Sequence, residues 1–119
     1  MQGYSLLMDD PIERIATNLR KGVLEFGLLG LLVQRDMYGL ELAEELKARE
    51  LISSDGSLYP LIARLRDNGL IEPVSAVESS ERPRRYYGVT AAGRAHLDAF
   101  AHVWAAIAPT INELLEGRK

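Results

Sequence analysis

The chain has 119 residues, 47% of them apolar, a formal net charge of −3 and no cysteine. That length suits one domain rather than two, and the apolar share excludes a disordered chain. The missing cysteine excludes disulfides, thiolate zinc sites and cysteine nucleophiles, and it fits a reducing compartment.

The opening stretch, Met1 to Met8, has neither a basic start nor a full apolar run, so no signal peptide is expected. The longest apolar stretch, Phe26 to Val33, is far too short to span a bilayer. A soluble, cytoplasmic protein with no membrane partner is the expectation. The two histidines, His96 and His102, miss a common helical face, and both are expected to be solvated. No nucleophile stands beside a base, no Gly-rich phosphate loop follows a strand, and no metal-ligand cluster is visible. The chain is therefore expected not to be an enzyme and to carry no cofactor or metal.

Asp10 and Pro11 open a first helix, one as its cap and the other at its first position. Ile12, Ile15, Ala16 and Leu19 give it a narrow apolar stripe, suited to a body or a partner. Gly22 is expected to interrupt it. The run Val23 to Val33 is apolar on every side and predicts a buried central helix. Gly27 and Gly30 lie one turn apart and suggest close approach by another backbone.

Asp36 is the expected cap of a third helix from about Met37 to Glu50. Leu40, Leu42, Ala43 and Leu46 are expected to face in; Glu41, Glu44, Glu45, Lys47 and Arg49 are expected to face out. Tyr38, at the start, is either a phosphate contact near the helix's positive end or a half-buried core aromatic. Residues 51–56 form a polar connector that includes Ser54.

The chain is organised around Ser57 to Ile71. Leu58, Leu61, Ile62 and Leu65 recur at helical spacing, while Ser57, Tyr59, Pro60, Ala63, Arg64 and Asp67 fall off that stripe. Gly69 suits the left-handed position that ends a helix. Leu70 to Val77 reads as a strand, which Pro73 confines to a sheet edge or interrupts. Turn residues follow over 78–83, and Arg84 to Val89 reads as a second strand. A lone hairpin is marginal in water, so this one must lean on the helices as a wing. Arg82, Arg84, Arg85 and Arg94 fall in a stretch without acids, which offsets the acidic balance locally.

Thr90 caps the last helix, which runs to about Glu116; Gly93 has no side chain to complete a reciprocal capping box. Leu97, Phe100, Trp104, Ile107, Ile111 and Leu114 step by three, four, three, four and three, a seam that meets a partner helix. Pro109 lies off the seam and is expected to bend the helix. The predicted fold is mainly α with a small β-hairpin. A winged helix-turn-helix domain fills 1–90, and a long dimerisation helix fills 91–119.

Four groups of residues carry a resemblance to the PadR family of transcriptional regulators. They are Tyr38 to Leu42; Gly56 to Pro60 with Arg64-Leu65 and Gly69 to Ile71; Arg82 to Tyr87; and Thr90 to Arg94. They occur in the family's order and span most of the chain. The resemblance implies a dimeric winged-helix repressor of its own or neighbouring genes, of the short subfamily with one C-terminal helix. It also implies a pocket for a flat hydrophobic or aromatic effector beside Trp104, with Phe100 its neighbour. Ser57 stands where the family often has threonine, and Pro109 bears on the shape of any such pocket.

The candidate DNA contacts are then Tyr38, Ser54, Ser57, Tyr59, Pro60, Arg64, Arg82, Arg84 and Arg85. Phosphate contacts supply affinity, and these fall to Tyr38, Arg82, Arg84 and Arg85. Ser57, Tyr59 and Pro60 lie at the first turn of the reading helix. Arg64 either binds a guanine bidentately or pairs with a neighbouring acid. One of Tyr86 and Tyr87 should pack under the wing. Trp104 either fills the dimer seam or forms a ligand platform between two copies. One reading helix covers few base pairs, so two copies would meet half-sites about 34–36 Å apart on a double-stranded operator. The rival reading is a winged-helix module that binds protein, and the negative net charge favours it.

Overall fold

The computed structural model describes residues 10–77 and 84–118. Helix α1 spans Pro11–Gln34, and the Asp10 carboxylate accepts from the Ile12 N–H at 3.0 Å. The expected break at Gly22 is absent: one helix runs through it. A glycine costs about 1 kcal/mol in a helix interior. Helix propagation and the burial of Leu28, Leu29, Leu31 and Leu32 one to three turns later outweigh that cost. The run from Val23 is also less buried than its composition predicts. Val23, Leu24 and Phe26 are only half-covered, and Val33 is exposed. The glycines receive no backbone either. A methyl group on Gly27 would meet the Leu51 side chain at 3.0 Å, and Gly30 faces open space.

Strand β1, Met37–Tyr38, was not expected; the sequence reading placed these residues in a helix capped by Asp36. Met37 is buried in the core, and the pair aligns with Tyr87 and Tyr86 of a later strand. Helix α2 therefore begins at Gly39 and ends at Ala48, with Tyr38 as its cap residue. The Glu41 carboxylate reaches back to the Tyr38 N–H at 3.2 Å. Leu42, Ala43 and Leu46 are buried as expected, but Leu40 is 49% exposed, because two residues before Leu42 it points to nearly the opposite side of the helix.

A 3-10 turn at Asp55–Ser57 leads into α3, Leu58–Asp67, and Lys47 fixes it through Asp55 at 2.8 Å. Leu58, Leu61, Ile62 and Leu65 are buried, as their spacing predicts. The helix stops as Gly69 predicts: its φ is +76°, the Gly69 N–H donates to the Arg66 carbonyl, and the Leu70 N–H donates to that of Leu65. These are the two bonds of a Schellman ending.

Strand β2, Ile71–Val77, and strand β3, Arg84–Val89, complete an antiparallel sheet in the order β1-β3-β2. The wing is thus three strands where a hairpin was expected. Pro73 lies on the edge strand, opposite Tyr87 and next to a register irregularity. An edge is where a residue without an N–H fits.

Helix α4, Ala91–Glu116, continues through Pro109. Thr90 accepts from the Gly93 N–H at 3.0 Å and donates to the Gly69 carbonyl at 2.6 Å. Gly93 is buried against Leu70; an added Cβ would stand 2.1 Å from the Leu70 carbonyl oxygen. The first turns of α4 are thereby pinned to the entry of the wing, and Leu97 packs on the core.

Candidate nucleic-acid interface

The exposed side of α3 carries Tyr59, Pro60, Arg64 and Asp67, while its other side is core. Pro60, Arg64 and Asp67 are spaced i, i+4 and i+7 and form one row. Tyr59 stands in the neighbouring row. Its ring lies over Gly39, where an added Cβ would meet the Cε1 atom at 3.2 Å. Helix α3 is therefore braced against the first turn of α2. Ser57 is exposed, and its hydroxyl makes a long bond, 3.4 Å, to the Ser54 carbonyl. Ser54, also exposed, begins the 3-10 turn.

Next to Gly39, Tyr38 is half-buried. Its ring meets Tyr86 edge-on, with centroids 5.2 Å apart, and the Arg84 guanidinium sits 4.9 Å from its centre. Such a contact is worth about 0.5–1 kcal/mol when exposed. It leaves the cation at the surface while fixing its stem. Arg85 is exposed beside it. Tyr87 packs on the hydrophobic core, which makes it the tyrosine under the wing. A continuous path of contacts thus runs from Tyr59 through Gly39 and Tyr38 to Arg84. Arg82 lies outside the described residues.

Arg64 lies on the opposite flank. Its Nη2 donates to Glu25 Oε1 on α1 at 3.1 Å, so it has the acidic partner that was one of its two expected fates. The second oxygen of Glu25 meets His96 Nε2 at 2.9 Å. His96 is therefore not solvated as expected: it is half-buried, with its ring tilted over Phe26 at 5.0 Å. His102 is exposed. Burial raises the pKa of Glu25, but the bonds from His96 and Arg64 together outweigh it and hold the carboxyl below its ordinary value. Sequence reasoning missed this three-helix cluster. The signal available was that Glu25 is the one charge between Val23 and Val33.

The expected seam divides in two. Leu97 and Phe100 turn to the head, and Phe100 stacks on Phe26 at 4.1 Å. Beyond them Trp104 (51% exposed), Ile107 (50%), Ile111 and Leu114 (69%) lie open, with Val103 and Leu115 beside them. Ile12, Ile15 and Leu19 at the other end of α1 are open too. A hollow of about 280 Å³ lies between α1 and α4, lined by Val23, Phe26, Gly27, Leu51, Phe100 and Trp104. Among the described residues, no group of three or more His, Asp or Glu side chains is placed to hold a metal, and no helix is long and apolar enough to cross a membrane.

The model of the transcriptional regulator PadR-like family matches residues 28–99. A crystal structure of a PadR-like transcriptional regulator from Bacillus cereus is 36% identical over 85% of this chain and 99% of its own, with a TM-score of 0.75. A PadR family transcriptional regulator from Eggerthella lenta is 27% identical over 95% of this chain and 99% of its own, with a TM-score of 0.80. An uncharacterised protein from Lysinibacillus sphaericus is 28% identical, covering 87% of this chain and 97% of its own.

Proposed function

The chain belongs to the PadR-like family of transcriptional regulators, with a winged-helix DNA-binding fold, and from that premise we propose that it acts as a dimeric repressor in the cytoplasm. In this reading residues 1–90 serve as the DNA-binding head and 91–119 as the dimerising helix. The observation that carries this is the run of open apolar side chains on the outer half of α4, from Trp104 to Leu114. Six large apolar residues half in water on one helix form a patch that a second copy covers well. A two-fold pair places two reading helices on successive turns of a duplex.

Tyr59, Tyr38 and Arg84 form the protein side of the DNA contact, with Ser54, Ser57, Pro60, Arg64, Arg82 and Arg85 around them. Backbone phosphates take the wing cations, and base edges take the first turn of α3. Pairing of two copies closes the hollow beside Phe100 and Trp104 into an apolar chamber suited to a flat hydrophobic effector. Filling it shifts the angle between the two heads and releases the operator.

The test is binding to the duplex upstream of the chain's own gene over a salt series, with sedimentation in parallel. A sequence-specific complex of two copies that weakens steeply with salt is the expected result. The net charge of −3 favours the rival reading, a protein-binding winged helix. Absence of a specific complex with that or any genomic fragment at low salt would decide for the rival.

A further inference from the structure

We propose that Glu25 sets how strongly, and on which base, the reading helix engages DNA, by competing with the duplex for Arg64. This rests on the assignment of α3 as that helix. Arg64 is on the outward row of α3 with Pro60 and Asp67, so its long side chain has a duplex within reach. Its guanidinium instead lies on Glu25, at 3.1 Å. The two side chains differ in exposure: 58% for Arg64 and 23% for Glu25. The arginine is the partner free to swing, and the carboxylate is the fixed one. A guanidinium turned toward α1 cannot present two parallel donors to a guanine. Base reading by Arg64 therefore requires it to leave Glu25.

His96 makes that departure affordable. An ionised carboxylate only accepts hydrogen bonds, so His96 Nε2 donates to Oε2 and stays when Arg64 leaves. A half-buried carboxylate left with no partner would oppose release far more. His96 belongs to α4, so the helix assigned to dimerisation acts on the reading helix through one shared carboxylate. The two partners of Arg64's chemistry thus have opposite effects. Glu25 holds the arginine back, and His96 lowers the hold.

The experiment uses the full chain and duplexes that the wild-type protein selects from a random library. Affinities are measured for the selected operator with wild type, Glu25→Gln, His96→Leu, Arg64→Ala and the double variants Glu25→Gln/Arg64→Ala and His96→Leu/Arg64→Ala. Thermal unfolding of each is measured alongside. An exposed ion pair is worth at most about 1 kcal/mol, so Glu25→Gln should tighten operator binding about two- to fivefold per reading helix. His96→Leu, which removes the donor, should weaken it, and Glu25→Gln should do nothing once Arg64 is alanine. Equal tightening with and without Arg64 would mean a general charge effect and overturns the proposal. Weakening by both Glu25→Gln and His96→Leu would mean a purely structural cluster and overturns it as well. Should Glu25→Gln fail to fold, His96→Leu on the Arg64→Ala background decides: no further weakening is expected there, and the same weakening as with Arg64 present overturns the proposal. A wild-type protein that selects no sequence removes the DNA reading itself, and this proposal with it. A selected operator with a flat cycle removes this proposal alone.

Discussion

Gly93→Ala sets two effects of opposite sign against each other at one atom. Helix propensity alone makes alanine better than glycine inside a helix by about 1 kcal/mol. At this position the new methyl would stand 2.1 Å from the Leu70 carbonyl oxygen and 2.7 Å from Val89 Cγ2. The carbonyl is backbone and cannot swing aside as a side chain would, so α4 or the start of β2 must move by about an ångström. Overpacking of that kind costs about 1–3 kcal/mol. The same shift pulls on the Thr90 cap, on its bond to Gly69, and on the Thr90 N–H bond to the Leu70 carbonyl. A lost cap costs about 1 kcal/mol and a strained hydrogen bond about another. The net expectation is destabilisation by about 2–4 kcal/mol, a fall in Tm of roughly 8–16 °C for a domain of this size. Thermal unfolding followed by circular dichroism at fixed protein concentration measures it, since the stability of the proposed dimer would vary with concentration. A variant as stable as wild type, or more stable, would show that α4 does not lie this close to Leu70 and that propensity decides the position.

Three further outcomes follow from the same geometry. Changing Arg84 and Arg85 to Ala removes four cations from the proposed dimer, so the log–log salt dependence of DNA binding should flatten by about 3.6, with similar loss on all sequences; a loss confined to one operator would mean that the wing reads bases. Trp104→Ala should weaken the dimer at least about tenfold in sedimentation, since buried tryptophans carry much of an interface, and should lower DNA affinity through that loss; an unchanged dimer constant would place the seam elsewhere. Glu25 is held below its ordinary pKa by His96 and Arg64 against burial, so its contribution to stability is complete above the unfolded value and is lost as pH falls through the folded one. Stability should therefore drop below about pH 5 with a component that Glu25→Gln lacks, and identical acid profiles for the two proteins would show that the carboxylate is unpaired in solution.

What the sequence made legible is what local chemistry decides. Helix α3 was visible because three leucines and an isoleucine share a face and Gly69 can take a positive φ. Thr90 announced α4, and Pro73 announced an edge, because a missing N–H has few places to go. Strand β1 was invisible, since two residues have no period and its partners lie far along the chain. That single omission displaced the start of α2 and the role of Asp36. Gly22 misled for the opposite reason: a local penalty of about 1 kcal/mol is small beside the packing that continues the helix.

The site was legible in its parts and not in its connections. Tyr38, Tyr59 and Arg84 were each identifiable as candidates, but their contact through Gly39 and the Tyr38 ring depends on the fold. The same holds for Glu25 and His96, which sequence distance separates and helix packing joins. One rule would have flagged them in advance. A carboxylate inside an otherwise apolar helical run must find a donor or remain at a cost of several kcal/mol. Glu25 was therefore a residue whose donors were worth seeking, and in the folded chain Arg64 and His96 supply them. That the partner proves to be the one arginine of the outward row of α3 is why the cluster bears on recognition as well as on stability.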